Sequence, residues 1–122
     1  MKYLNRRAVK HADLNPAAKL FGGALLAWID EEAGIYASCQ LSTKRLVTKY
    51  MSEINFLSSA VLGDIVEIGI ETVAVGRTSI TLACEVRNKE SKQGIIRVEQ
   101  IVMVAVDAQG KPWAHELNQM QS

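Results

Sequence analysis

Apolar residues crowd one stretch of this chain and alternate with polar ones through most of the rest. Between Leu20 and Ala37, small and apolar side chains fall on almost every side of a helical projection, interrupted by Asp30, Glu31 and Glu32. Such a pattern marks a helix enclosed by protein. It predicts one long helix from near Gly22 to about Cys39. Elsewhere the period is two. Residues 3–10 read as a short first strand. Residues 11–19 read as a loop, because Pro16 holds Asn15 in extended geometry. Leu46 to Phe56 reads as a second strand with Ile54 and Phe56 on one side, followed by a loop over 57–64. Ile65 to Val75 sets Val66, Ile68 and Ile70 against Glu67 and Glu71. After a turn at Gly76-Arg77-Thr78, Ser79 to Asn88 sets Ile80, Leu82, Cys84 and Val86 against Thr81, Glu85 and Arg87. A polar turn over 89–94 precedes a last long strand, whose inner face is marked by Ile96, Val98, Val102, Val104 and Val106. Residues 107–112 end it, and 116–122 read as a loose tail. Alternation with polar outer faces implies antiparallel strands wet on one side.

One early apolar helix followed by antiparallel strands is an α+β arrangement: a single domain over 1–122, with a curved sheet wrapped around the helix. A helix this apolar in a chain of 122 residues leaves surface to cover, which points to a dimer. The hydrophobic share of 48% argues against disorder, and the net charge of +1 excludes the basic field that nucleic acid requires. No apolar run approaches ~20 residues, so no membrane span is expected. Met1 to Arg7 lacks the apolar stretch of a secretory signal. Cys39 and Cys84 have no metal-ligand spacing and read as reduced core thiols of a cytoplasmic protein, a disulfide between them being the alternative.

The chain has no G-x-S-x-G, P-loop or G-x-G-x-x-G motif. His11 and His115 are too few for a three-histidine zinc site, so no metal is expected. The chemistry is left to the helix. Asp30 has Gly23, Leu26, Ala27, Ala33, Gly34 and Ala37 as its helical neighbours. A carboxylate on that stripe is costly unless it is paired, wet or at work; the plainer alternative is one solvated patch with Glu31 and Glu32. Gly22 and Gly23 open the helix, where its free amides admit either a ligand or a packed backbone. Gly22 and Asp30 lie eight residues apart, about 12 Å along a helix. One reacting carbonyl therefore does not reach both in one chain, whereas two antiparallel helices of a dimer bring one helix start beside the other's Asp30.

Asn15-x-x-Ala18-x-x-Phe21-Gly22-Gly23, followed by Trp28-Ile29-Asp30-Glu31-Glu32-Ala33-Gly34-Ile35, resembles the hotdog-fold acyl-CoA thioesterases, the YciA-like and brain-type cytosolic acyl-CoA hydrolases. Val47-Thr48, Ile54-Asn55-Phe56, Val61-x-Gly63-Asp64, Val75-Gly76-Arg77-Thr78-Ser79 and Val104-x-Val106-Asp107-x-x-Gly110-Lys111-Pro112 continue the match over residues 8–112. The resemblance implies a five- or six-stranded sheet around a central helix, a homodimer and a trimer of dimers. It implies hydrolysis of acyl-CoA to free acid and CoA, with CoA as part of the substrate and no other cofactor. It implies Asp30 as general base or nucleophile, Asn15 as an assistant from the partner subunit, and the amides at Gly22 and Gly23 as the oxyanion hole. Arg77, with Gly76, Thr78 and Ser79, is the candidate for the CoA phosphates; a solvated hairpin turn is the alternative. Thr48 and Asn55 line the acyl or pantetheine channel or simply pack in their strands, and Phe21 stands at the helix mouth. Ala18 replaces a glycine of the family and disfavours positive φ, so a changed loop is expected there. A hotdog dehydratase or hydratase, and a non-catalytic acyl-CoA-binding protein, are the competing readings.

Overall fold

The computed structural model describes residues 1–115; the tail over 116–122 lies outside them. Strand β1 (Lys2–Ala8) is followed by a 3-10 turn (His11–Asp13) and by helix α1 (Gly22–Leu41). Strands β2 (Leu46–Met51), β3 (Ile54–Phe56), β4 (Ile65–Val75), β5 (Ser79–Asn88) and β6 (Gly94–Ala105) complete the chain. All pairings are antiparallel, in the order β1-β4-β5-β6-β2, with β3 also on β6. The helix packs on one face of this six-stranded sheet.

Leu25, Ile29, Ala33, Ala37 and Leu41 form the buried stripe of α1, one residue per turn. The two alanines let the helix lie close on Ile68, Ile80, Leu82, Cys84 and Ile101, all at most 1% exposed. The opposite flank is not enclosed. Gly23, Ala27, Asp30, Glu31, Ile35 and Cys39 are exposed in the single chain, because one sheet covers only one side of a helix. Cys39 is therefore not a core thiol; Cys84 is, and burial, then Glu85, pushes its thiol up to about 12. Both cysteines are free.

The expected strand over 46–56 is two strands laid end to end along β6. β6 carries an extra residue near Glu99-Gln100: Leu82 pairs with Ile101, but Cys84 pairs with Val98. The neighbouring strand breaks at the same level. Ser52 N–H donates to Gln100 O at 2.8 Å, and Gln100 N–H donates to Ser52 Oγ at 3.0 Å. A bulge shifts the side-chain parity by one. Ile96 and Val98 face the core as expected, but beyond the bulge Ile101, Met103 and Ala105 do, and Val102, Val104 and Val106 turn away.

The outer face is also drier than alternation implies. Glu67 is only 2% exposed. Arg87 Nε at 2.7 Å, Lys92 Nζ at 3.1 Å and Arg6 Nε at 3.8 Å surround it. Tyr3 stacks under Arg87, 3.6 Å from ring centroid to Cζ, and donates its hydroxyl to Glu85 Oε1 at 2.8 Å. Long cations from β1, β5 and the turn after β5 thus roof the carboxylate with their aliphatic stems.

Candidate active site

The three consecutive acids of α1 do not form one patch. Glu32 points to β1 and is buried, with Arg7 Nη2 at 2.9 Å; the same nitrogen lies 3.3 Å from Glu31, and the guanidinium lies over Trp28. Asp30 turns the other way, toward β2. Its Oδ1 accepts a hydrogen bond from Thr48 Oγ1 at 2.7 Å. Among the described residues this is its one partner, and no cation pairs with it.

Asp30 and Thr48 stand in a groove of about 790 Å³ between α1 and β2. Gly34, Ile35, Ser38 and Cys39 continue its helix side; Leu46, Val47 and Met103 face them, with Lys44 also at its edge. The expectation of an enclosed Asp30 is corrected: in the single chain the carboxylate is exposed, polar at its tip and bordered by apolar side chains.

The helix start is a separate location. Phe21 is the N-cap residue, with extended φ and ψ and no side-chain cap, and the first turn holds no acid. Its N–H groups are thus left with the positive end of the helix dipole. Two backbone bonds anchor the approach: Leu20 N–H to Ala60 O at 2.8 Å and Phe21 N–H to Asp13 O at 2.7 Å. The Phe21 ring lies across Gly23 so closely that a Cβ there would sit 2.5 Å from Cε1. Phe56 reaches Gly22 from β3, where a Cβ would sit 3.5 Å from its Cζ. Phe21 and Phe56 are 54% and 57% exposed, two aromatic rims beside free amides. Phe56 was not among the expected site residues, although the Ile54-Asn55-Phe56 run carries it. Asn55 is exposed and does not line the groove of Asp30.

Asn15 holds its own loop. Its Oδ1 accepts from Ala17 N–H at 2.9 Å and Lys19 N–H at 3.1 Å, and its backbone bonds Ala18 and Lys19. The amide NH2 of the side chain makes no hydrogen bond among the described residues. Ala18 adopts φ 61°, so the loop keeps the left-handed turn that a glycine would make, contrary to the change expected there.

The Gly76–Ser79 turn is fastened from beneath. Arg77 O accepts from His115 N–H at 3.3 Å, Thr78 O from Ala105 N–H at 2.8 Å, and Ser79 O from His115 Nε2 at 2.9 Å. With the carbonyls engaged inward, the Arg77 side chain is exposed. None of the four residues lines the groove of Asp30.

Residues 18–95 match the sequence model of the thioesterase superfamily. The chain belongs to that superfamily. An uncharacterized acyl-CoA thioester hydrolase of Buchnera aphidicola is 32% identical over 117 residues, covering 91% of this chain and 86% of its own. The acyl-CoA thioester hydrolase YciA of Escherichia coli is 32% identical over 109 residues, covering 84% and 82%. A solved structure described as a hexameric hotdog fold thioesterase of Campylobacter jejuni is 29% identical, covers 95% of this chain and 92% of its own, and superposes with a TM-score of 0.81. The six-stranded sheet around α1 is thus a hotdog fold. The superfamily match contains Gly22, Gly23, Asp30, Thr48 and the Gly76–Ser79 turn, whereas Asn15 lies just before it.

Proposed function

We propose that this chain is an acyl-CoA thioesterase whose site is completed by a second copy. The observation that carries the reading is a helix carboxylate without a cation partner, hydrogen-bonded to Thr48 at the head of an apolar groove. Asp30 of one chain acts on a thioester whose carbonyl oxygen rests on the amides of Gly22 and Gly23 of the other. Those amides and the helix dipole stabilise the developing oxyanion, and Asn15 offers its side-chain amide beside them. Asp30 either takes a proton from water as that water attacks the carbonyl, or attacks directly and forms an anhydride that water then opens. In both routes the C–S bond breaks, the CoA sulfur leaves and regains a proton, and the acyl group departs as a carboxylic acid. No cofactor is needed beyond the CoA of the substrate. Arg77 and the turn around it take the CoA phosphates.

The single chain supports a composite site in two ways. Asp30 and the helix start are separated by about 12 Å along α1. The flank bearing both is exposed and holds Gly23, Ala27 and Ile35, which a second α1 would cover. The assembly is a dimer and, by analogy with the hexameric relative, a trimer of dimers. With both cysteines unpaired, we read the enzyme as cytoplasmic. A dehydratase would need a histidine at the composite site; His115 is buried against Ser79 O, which leaves His11, in the 3-10 turn before α1, and thiol release separates the two activities.

Thiol release from acyl-CoA by the wild type and by Asp30→Asn tests the reading. Wild type should turn over and Asp30→Asn should lose roughly 10²-fold or more of kcat, the scale of general base catalysis. Mixed dimers of Asp30→Ala with Asn15→Ala should regain activity that neither parent has. CoA binding without thiol release by the wild type would leave only an acyl-CoA-binding protein.

A further inference from the structure

Gly34 sits in the middle of α1, where glycine is less favourable than alanine. Packing within the single chain does not require it. A Cβ at this position would meet only Met103 Cε, at the ordinary contact distance of 3.9 Å. What its missing side chain does is leave room in the groove that starts at Asp30. Gly34 and Ser38 follow Asp30 at four and eight positions, so the three share one helix flank and all line that groove. Leu46, Val47 and Met103 form the facing wall, and Ser38, Cys39 and Lys44 bring polar atoms to the lining.

We propose that the acyl chain of the substrate lies along this flank, from Asp30 past Gly34 toward Ser38, and that Gly34 sets the chain length admitted. The inference rests on the thioesterase reading and goes further by naming the substrate class: medium-chain acyl-CoA. Eight helical residues span about 12 Å. With C–C bonds near 1.5 Å, a zigzag alkyl chain advances roughly 1.25 Å per carbon, so the run takes about nine or ten carbons. Ile35, Leu46, Val47 and Met103 supply the apolar contacts that an alkyl chain needs along this run.

The test is thiol release by the intact protein from propionyl-, hexanoyl- and decanoyl-CoA, for the wild type, Gly34→Ala and Gly34→Leu. Each methylene seated in the groove is worth about a fourfold gain in kcat/KM. In the wild type, kcat/KM should therefore climb with chain length to about ten carbons. Gly34→Leu fills the space one turn from Asp30 and should lower the decanoyl-to-propionyl ratio on the order of a hundredfold. Gly34→Ala, a small residue that favours the helix, should lower it less, which guards against a mere folding defect in the leucine variant. An unchanged ratio in both variants overturns the inference. So does a proportional loss at every chain length, which would assign the groove to pantetheine. If the wild type releases no thiol from any acyl-CoA, the thioesterase reading itself fails and takes the inference with it.

Discussion

Thr48→Val isolates the one hydrogen bond that the fold gives to Asp30. Valine keeps the size and β-branching of threonine, so β2 retains its backbone preference. Only the hydroxyl at 2.7 Å from Asp30 Oδ1 is lost. That bond is short and has a charged acceptor, a class worth about 1.5–3 kcal/mol. Both side chains are exposed in the single chain, so the lower end applies. About 1.5 kcal/mol converts to roughly a tenfold fall in kcat. Under the proposed mechanism Thr48 aims the reacting carboxylate, so the loss falls mainly in kcat. KM for acyl-CoA should stay within about twofold, which separates aiming from binding. Thr48→Ser restores the donor and should recover most of the loss. The assay is thiol release at saturating acyl-CoA, with thermal unfolding of each variant alongside to show that the fold is retained. Full kcat in Thr48→Val would refute the role. A kcat loss that serine does not repair would refute it too.

Two further expectations concern stability. Ala18 holds φ 61°, where a Cβ costs on the order of 1 kcal/mol. Ala18→Gly should raise Tm by about 3–5 °C for a domain of this size, measured by calorimetry; a fall in Tm would contradict the left-handed assignment. Glu67 is the acid sensor of the sheet. Burial pushes its carboxyl up, but Arg87 and Lys92 outweigh burial and hold it below the ordinary 4.5. Its contribution is therefore fully present above pH 4.5 and is lost as pH falls toward the lowered folded value. Glu67→Gln should flatten the acid limb of the stability–pH curve there, and denaturant midpoints at pH 3 to 7 would read it; an acid limb identical to wild type counts against the ion cluster.

The helix and the strands β4 and β5 were legible because dense apolar residues and flanking turns left one consistent period. β6 was legible only as far as Val98. Counting by two runs straight through Glu99-Gln100, and the inserted residue there moves Val102 and Val104 off the face that the count assigns them. Two adjacent polar residues, Glu99 and Gln100, where alternation calls for one are the trace the chain gives of that bulge. Alternation likewise reports that Glu67 leaves the core face, but not that Arg6, Arg87 and Lys92 converge on it from β1, β5 and the following turn. In the site, the chemistry of Asp30 stood out locally, whereas the walls of its groove did not. Leu46 and Met103 come from strands separated in sequence, and only the tertiary fold sets them opposite Gly34.

The same logic separates Asp30, the base of the proposed mechanism, from its two neighbours. Successive helix residues rotate by about 100°, so three acids in a row must address different surroundings. β1 places Arg7 within salt-bridge distance of both Glu31 and Glu32, so a cation engages both of those carboxylates. β2 offers Asp30 a hydroxyl instead, which orients an oxygen without lending it a full positive charge. An arginine at position 48 would hold Asp30 as Arg7 holds Glu32, in a fixed ion pair. The neutral partner from β2 is thus as much a part of the candidate catalytic site as the carboxylate it aims.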